Sequence, residues 1–223
     1  MKRITVLLAD DHMVVREGFR KLLEAEDDLE VVGEAQTGRQ AVELTRKLRP
    51  AVVVMDIAMP LLNGLEATRQ IRKAFPDTKV VILSAHNDDA YIDQAVAIGA
   101  VGFLLKQTSS HNLSEAIREV QKGNTFFSPT ISTRLQNQKM SARGGTPRKK
   151  VARLSSREME VLQLITEGNG NNETATELGI SIKTVEKHRQ NLMAKLNLHE
   201  ISGLTRYAIG AGIIESSVQL TIQ

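Results

Sequence analysis

The sequence contains no cysteine and no tryptophan, and only two tyrosines and five phenylalanines occur among its 223 residues. Without cysteine the chain has neither disulfide bonds nor thiolate metal sites. So few aromatic side chains argue against a surface on which single-stranded bases stack. The apolar run at residues 4–9 is too short for a signal peptide or a membrane span. We therefore expect a cytoplasmic protein that does not contact membranes.

The two halves of the chain differ in charge. Up to Thr133 there are 16 lysines and arginines against 18 acidic residues, and after it there are 13 against 8. A length of 223 residues is sufficient for two ordinary domains. We predict two domains, of which only the basic second one meets a polyanion.

Short apolar runs alternate with amphipathic segments in the first half. The runs predict strands at residues 4–9, 29–35, 52–56, 79–84 and 101–105. The segments between and after them predict helices at residues 14–23, 38–48, 65–75, 88–98 and 111–122. Right-handed crossovers between successive strands allow little other than a parallel sheet with helices on both faces. The prediction is an α/β doubly wound domain with a five-stranded parallel sheet.

Polar residues stand at the ends of four of these predicted strands. They are Asp10 and Asp11 after the first strand, Asp56 in the third, Ser84 in the fourth and Lys106 after the fifth. In a parallel sheet these strand ends face one crevice, where three carboxylates repel each other unless a cation compensates them. Carboxylate oxygens suit Mg²⁺, and Asp56 is the candidate acceptor of a phosphoryl group. Lys106 and the Ser84 hydroxyl would then contact the phosphoryl oxygens.

Two other classes of protein use a comparable sheet. A phosphatase with an aspartate nucleophile typically has a second carboxylate two residues later, which protonates the leaving group, but residue 58 is alanine. A dinucleotide-binding domain has a glycine-rich loop after its first strand, where this chain has Asp10, Asp11 and His12. The site suits holding a phosphoryl group better than turning over substrates, and we do not expect an enzyme.

Residues 1–125 resemble the receiver domain of two-component response regulators. The matching stretches are Ala9-Asp10-Asp11-His12, Met55-Asp56-Ile57-Ala58-Met59-Pro60, Asn63-Gly64, Ser84-Ala85 and Gly102-Phe103-Leu104-Leu105-Lys106. The resemblance implies a flavodoxin-like fold in which a sensor histidine kinase phosphorylates Asp56. It also implies that Asp11, Asp56 and the Ala58 carbonyl bind Mg²⁺ directly, whereas Asp10 acts through water.

The same resemblance assigns roles at the last strands of the sheet. Ser84 and Lys106 would contact the phosphoryl group. Phe103 matches an aromatic switch, which swings inward when the Ser84 hydroxyl moves toward the phosphate. Gln107 departs from the family, because many receivers have a proline with a cis peptide bond at this position.

The second half of the chain predicts four short helices. Ser155 caps the first, at 157–165; Asn171 caps the second, which ends near Gly179; Ser181 caps the third, at 182–196; and the fourth runs from about residue 200 to residue 211. Short helices joined by a turn that contains glycine are typical of a helix-turn-helix.

The third of these helices has two different faces. At about 100° per residue, one face is an apolar stripe of Val185, Leu192 and Leu196, which we predict to be buried. The opposite face carries Lys183, Lys187, Gln190 and Ala194, with Glu186 on its flank. Lysine can donate to guanine, glutamine can pair with adenine and glutamate can accept from cytosine. An ordinary solvated helix face has a similar composition.

Residues 151 to about 215 resemble the LuxR-type DNA-binding domain of the NarL/FixJ group of regulators, within a predicted domain at 151–223. The matching stretches are residues 154–162, 178–181, 183–189 and 195–196. The resemblance implies that the third helix enters the major groove and that the last helix forms a dimer contact. Nearest the bases would be Glu186, Lys187 and Gln190, and near the phosphates Lys183, Thr184 and Lys195.

Three residues depart from that family, whose members usually have serine or threonine at Gly170, lysine at Asn172 and isoleucine at Thr174. Asn172 removes a phosphate contact, and Thr174 removes an apolar side chain from the packing that supports the third helix. We expect weaker DNA binding than in typical members, with a salt dependence shallower by about one unit of slope.

The segment at residues 126–150 is predicted to link the two domains. A short helix at 130–138 precedes a polar stretch with Gly144, Gly145 and Pro147, which is typical of a flexible joint. The basic run at 148–150 is either a solvated part of this linker or a contact to DNA phosphates.

Together the two resemblances predict a phosphorylation-controlled transcriptional regulator that binds double-stranded promoter DNA and dimerises when phosphorylated. The unphosphorylated receiver would pack over the recognition helix, and phosphorylation would free that helix. Two alternatives remain. One is a regulator that binds DNA regardless of phosphorylation, and the other, more distant, is an RNA-binding antiterminator.

Overall fold

The computed structural model describes residues 3–85, 89–107, 110–127, 132 and 154–214. These residues belong to two compact units that divide after residue 150. The predicted linker helix, apart from Ser132, and the basic run at 148–150 lie outside the described residues. Within the described part of the chain, no helix has the length and apolar character needed to cross a membrane.

The first unit contains a parallel sheet of six strands. They are β1 Ile4–Ala9, β2 Leu29–Ala35, β3 Val52–Asp56, β4 Lys79–Ser84, β5 Gly102–Leu105 and β6 Phe126–Phe127. Their spatial order is β2-β1-β3-β4-β5-β6, and every pairing is parallel. The order of the first five strands is flavodoxin-like, which confirms the predicted fold class.

The predicted number of strands was wrong by one. Phe126–Phe127 pairs with β5 and extends the sheet beyond the five predicted strands, into the segment predicted to be a linker. A strand of two residues has no measurable alternation of apolar and polar positions, so the sequence pattern did not reveal it.

Five helices cover the two faces of the sheet. They are α1 Met13–Glu24, α2 Gly38–Leu48, α3 Gly64–Ala74, α4 Asp89–Ala97 and α5 Ser110–Gln121. On one face, Leu23 of α1 and Ile117 of α5 belong to a buried cluster with side chains of β1 and β3. On the other face, Ala41, Ile71 and Ile92 of α2, α3 and α4 belong to a second cluster. Strand β3 contributes to both clusters, and all five of its residues are buried, which explains its continuous apolar run.

The described residues of the second unit, 154–214, form four helices, as predicted. They are α6 Ser156–Thr166, α7 Asn171–Leu178, α8 Ile182–Leu196 and α9 Ile201–Gly210. Ser155 caps α6 in a capping box with Glu158, and the Ser181 hydroxyl accepts the Thr184 N–H at 3.1 Å. Gly179 ends α7 in the left-handed conformation, with φ of 61°, which glycine adopts without strain.

The predicted cap of α7 was wrong by one residue. Its N-cap is Gly170, whose N–H donates to the Glu173 side chain at 2.7 Å, and Asn171 is the first helical residue. The Asn171 side chain instead accepts a hydrogen bond from Arg189 of α8. Because asparagine suits either place, the choice depended on a contact between helices that the local sequence does not show.

Candidate functional site

The carboxyl ends of β1 and β3 bring the three predicted carboxylates into one pocket. Potential ligand atoms of Asp10, Asp11, His12 and Asp56 all lie within 4.8 Å of one another. Asp10 and Asp56 are buried, whereas Asp11 and His12 are exposed. The strand order explains this arrangement, because β1 and β3 are neighbours in the sheet although β2 lies between them in the chain.

Lys106 lies between the two buried carboxylates. Its Nζ is 2.8 Å from Asp56 Oδ2 and 2.9 Å from Asp10 Oδ2. The backbone N–H of Lys106 donates to the Ser84 carbonyl at 2.7 Å, which fixes the start of the loop after β5. Burial by itself lowers the pKa of Lys106, but attraction to Asp56 and Asp10 raises that pKa above its usual value. Lys106 therefore supplies a positive charge to the pocket at neutral pH.

Both carboxylate oxygens of Asp56 are held. Oδ1 accepts the Ile57 N–H at 2.8 Å, and Oδ2 accepts from Lys106. Burial nevertheless raises the pKa of Asp56 to about 7, because the loss of hydration and repulsion from Asp10 and Asp11 outweigh the attraction of Lys106. One lysine does not compensate three carboxylates, so the pocket favours a further cation.

The groups in this pocket fit Mg²⁺. Carboxylate oxygens are the ligands that this ion prefers. Asp10 Oδ2 is completely buried and accepts no hydrogen bond, although it lies at ion-pair distance from Lys106. An oxygen that accepts no well-directed hydrogen bond keeps lone pairs for a cation or its water. His12, for which no role was predicted, places Nδ1 2.9 Å from Asp11 Oδ1.

The loop after β3 carries Ala58, whose carbonyl is a predicted Mg²⁺ ligand. The Gly64 N–H donates to the Ile57 carbonyl at 2.8 Å and closes the loop. A Cβ atom at Gly64 would overlap the carbonyl group of Asp56, so only glycine fits here. Ala58 itself is partly buried. The loop is therefore packed directly against the main chain of the phosphoacceptor candidate.

The middle of the same loop is a tight turn supported by α2. The Leu62 N–H donates to the Pro60 carbonyl at 2.8 Å across Leu61, whose φ is 66°, which is the pattern of a classic γ-turn. The Gly38 N–H at the start of α2 donates to the Leu62 carbonyl at 3.0 Å. This second contact holds a turn that leucine adopts only with strain.

The remaining receiver residues lie along β4 and β5. Ser84 and Phe103 are both buried. Phe103 pairs in register with Ile82 of β4 and Phe127 of β6, so the unpredicted strand lies beside the predicted switch. The peptide bond before Gln107 is trans, as are the others within the described residues.

The second candidate site is the exposed face of α8. Val185 and Leu192 are buried and Leu196 is partly buried, so the predicted apolar stripe is confirmed. The opposite face is exposed at Lys183, Glu186, Lys187, Gln190 and Ala194. Thr184 is partly buried, and Lys195 is exposed at the other end of the helix. Contact of this face with bases or phosphates stays a prediction.

Two polar contacts attach α8 to the helices that support it. Arg189 donates to the side-chain oxygen of Asn171 on α7. Lys195 Nζ lies 2.7 Å from Glu158 Oε2 on α6. Burial alone would raise the pKa of Glu158, but Lys195 and Ser155 lower that pKa below its usual value. Lys195 therefore has a structural partner that sequence reasoning missed, because Glu158 is distant in the chain.

The three residues in and next to α7 that depart from the LuxR-type family differ in their burial. Thr174 is fully buried, and its hydroxyl has no hydrogen-bond partner. Gly170 and Asn172 are exposed. Thr174 thus places an unpartnered hydroxyl in the interior of the second unit, and Asn172 presents a neutral side chain to solvent. The effect of these residues on DNA binding stays a prediction.

Two family models match the chain. The response regulator receiver domain matches residues 6–118, and the LuxR family of bacterial regulatory proteins matches residues 152–208. The oxygen regulatory protein NreC of Staphylococcus carnosus (strain TM300) is 38% identical over 214 residues, which are 94% of this chain and 99% of NreC. The transcriptional regulatory protein DegU of Brevibacillus brevis is 37% identical over 211 residues, which are 89% of each chain.

Solved structures are similar over nearly the whole chain. The RcsB response regulator of Salmonella typhimurium is 29% identical with a TM-score of 0.61, and the match covers 95% of this chain and 99% of RcsB. RcsB in its complex with DNA is 30% identical with a TM-score of 0.57, covering 92% and 98%. ChrA, the response regulator of a heme-sensing two-component system, is 34% identical with a TM-score of 0.52, covering 96% and 100%.

Proposed function

This chain belongs to the two-component response regulators of the NarL/FixJ type, transcriptional regulators with a receiver and a LuxR-type DNA-binding domain, and we propose that phosphorylation of Asp56 controls its binding to promoter DNA. The phosphoryl donor would be a sensor histidine kinase. The observation that carries the proposal is the pocket in which Lys106 contacts Asp56 and Asp10 within 3 Å.

Asp56 is the proposed nucleophile. One of its carboxylate oxygens attacks phosphorus, the new P–O bond forms as the P–N bond to the kinase histidine breaks, and the electron pair leaves with the imidazole nitrogen. The attack requires the ionised carboxylate, and a pKa of about 7 places its ionisation in the neutral range. The Ile57 N–H and Lys106 hold the two oxygens of the carboxylate in place.

The other pocket residues would bind the metal and the phosphoryl oxygens. Asp11, Asp56 and the Ala58 carbonyl would hold Mg²⁺, with Asp10 acting through water, and the ion would supply positive charge to the transferring group. After transfer, Lys106 would pair with a phosphoryl oxygen, and the Ser84 hydroxyl would donate to another. The movement of Ser84 would be followed by a change at Phe103.

We also propose that α8 recognises DNA. Its exposed face would place Glu186, Lys187 and Gln190 against bases, and Lys183, Thr184 and Lys195 against phosphates. The similarity to RcsB, which has been solved with DNA, supports this role. Ile201 and Ile209 of α9 are 53% and 37% exposed, and such apolar side chains suit the predicted contact between two copies of the chain.

Intact-mass analysis with Mg²⁺ and acetyl phosphate tests the proposal. The wild type and the exposed control Asp77→Asn should each gain one phosphoryl group, and Asp56→Asn should gain none. The same samples are then titrated onto promoter DNA and analysed for dimers by light scattering. No adduct on the folded wild type would contradict phosphorylation at Asp56. Equal DNA binding before and after modification would favour a regulator that acts independently of phosphorylation.

A further inference from the structure

The guanidinium of Arg16 is buried next to the acidic pocket. Arg16 is the fourth residue of α1, at the end of its first turn, and is only 6% exposed. Its Nη1 donates to the carbonyl oxygen of Asp10 at 2.7 Å, and its Nε donates to Glu34 Oε2 at 2.8 Å. Because Glu34 belongs to β2, one side chain connects α1, the end of β1 and the edge strand of the sheet.

These contacts act on the main chain where β1 ends and the acidic residues begin. The Asp10 N–H donates to the Ala35 carbonyl of β2 at 3.1 Å. The Asp10 carbonyl is tied to the same strand through Arg16 and Glu34. Asp10 is therefore held on both sides of its Cα atom, which restricts the directions in which its own carboxylate and that of Asp11 leave the backbone.

We propose that Arg16 is a positioning residue for the Mg²⁺ site, acting through the main chain of Asp10. The inference rests on the proposed function, because Arg16 has nothing to preorganise if the pocket does not bind the metal. A guanidinium suits this place because its planar fork donates to two acceptors at once, whereas a lysine ammonium acts as a point charge. Partners that orient metal ligands typically contribute about 10-fold to 100-fold in metal affinity.

A positioning role and a purely electrostatic role of Arg16 predict opposite changes in Mg²⁺ affinity when Arg16 is replaced. A positive group near the pocket repels a bound cation, so removal of that charge alone should strengthen Mg²⁺ binding. If Arg16 acts by position, its removal should weaken binding. The direction of the change therefore separates the two effects.

Arg20 provides a matched control on the same helix. Its Nη1 donates to Glu34 Oε1 at 2.9 Å and its Nε donates to Glu24 at 2.8 Å. Arg20→Met thus removes a positive charge from the same Glu34 carboxylate without removing the hydrogen bond to Asp10. Arg20 also keeps Glu34 paired when Arg16 is replaced.

The test is a calorimetric Mg²⁺ titration of the full chain at pH 8 and constant ionic strength, with folding verified by circular dichroism. Arg16→Met should raise the Kd for Mg²⁺ about 10-fold or more, and Arg20→Met should change it less than about 2-fold. An unchanged or lower Kd for Arg16→Met overturns the inference but leaves the metal site intact. A wild type that binds no Mg²⁺ overturns both the inference and the proposed metal site.

Arg16→Lys keeps the test decisive if Arg16→Met fails to fold. This variant retains the charge and loses the two-pronged contact, so we expect a Kd several-fold above that of the wild type. A Kd equal to that of the wild type would show that the two-pronged contact of Arg16 is not needed for Mg²⁺ binding, and would overturn the inference.

Discussion

The acidic pocket of the receiver and the exposed face of α8 both concentrate charged side chains, but in opposite surroundings. Lys106 is 15% exposed and contacts two buried carboxylates within 3 Å. Lys183 and Lys187 are exposed to solvent. Charges removed from water interact strongly and change each other's pKa, whereas exposed charges are screened. The pocket is therefore built before any ligand arrives, whereas the α8 face would acquire electrostatic partners from DNA in the function that we propose.

The two sites also differ in what the protein must hold in place. In the pocket, the side chains of Asp10, Asp56 and Lys106 are each held by hydrogen bonds or ion pairs. On α8, the protein instead holds the whole helix, through Lys195 with Glu158 and Arg189 with Asn171. Damage to the pocket should therefore appear first in pH dependence and metal binding, and damage beneath α8 in stability and DNA affinity.

The largest effect that we expect from this contrast is at Asp56. Because its pKa is raised to about 7 from the ordinary 3.8, the folded chain retains a proton that the unfolded chain has released, and stability falls as pH rises between about 4 and 7. Asp56→Asn removes this penalty and should raise the free energy of unfolding at pH 8 by roughly 3 to 4 kcal/mol without Mg²⁺. Urea denaturation at a series of pH values measures the difference.

The gain from Asp56→Asn should shrink steadily toward pH 4. The exposed control Asp27→Asn should show no such trend, and Mg²⁺ should stabilise the wild type more than Asp56→Asn. If Asp56→Asn raised the free energy of unfolding equally at pH 5 and pH 8, ionisation of Asp56 would not destabilise the folded chain. The pocket would then not differ electrostatically from the exposed face of α8.

The sequence was sufficient to predict the residues of the pocket, but not the residues that hold the two sites in place. Short apolar runs directly precede Asp10, Asp56 and Lys106. Because the carboxyl ends of parallel strands meet at one edge of the sheet, this local pattern was sufficient to predict that the three side chains lie close together. Arg16 looks like any charged residue of an amphipathic helix, and nothing nearby in sequence indicates Glu34 as its partner. Lys195 with Glu158 is a similar case. Contacts across the chain depend on how helices pack, which periodicity does not encode.

A smaller effect is expected beneath α8, where Thr174→Val should stabilise the second unit. The Thr174 hydroxyl is buried without a partner, so the folded state loses its hydrogen bond to water and gains none. Valine has nearly the same shape, and we expect the free energy of unfolding to rise by about 1 kcal/mol.

The matched control is Thr176→Val in the same helix. The exposed hydroxyl of Thr176 donates to the Asn172 carbonyl at 3.0 Å, so its replacement should bring no gain in stability. Hydrogen exchange of α7 and α8 amides measures both, and equal gains would contradict this account.

The smallest effect that we expect comes from the addition of one solvent-exposed charge, at Asn172 in the first turn of α7. Asn172→Lys should restore the phosphate contact that the family resemblance predicts there, and each such contact steepens the dependence of log affinity on log salt by about one unit. The same lysine should lower the folding stability of the second unit by about a few tenths of a kcal/mol, because a positive charge is unfavourable at a helix N-terminus. DNA binding measured at several salt concentrations gives the slope, and Asn172→Gln is the neutral control. If the slope is the same in Asn172→Lys as in the wild type, residue 172 lies away from the DNA backbone. The proposed contacts with DNA would then come from α8 and not from α7.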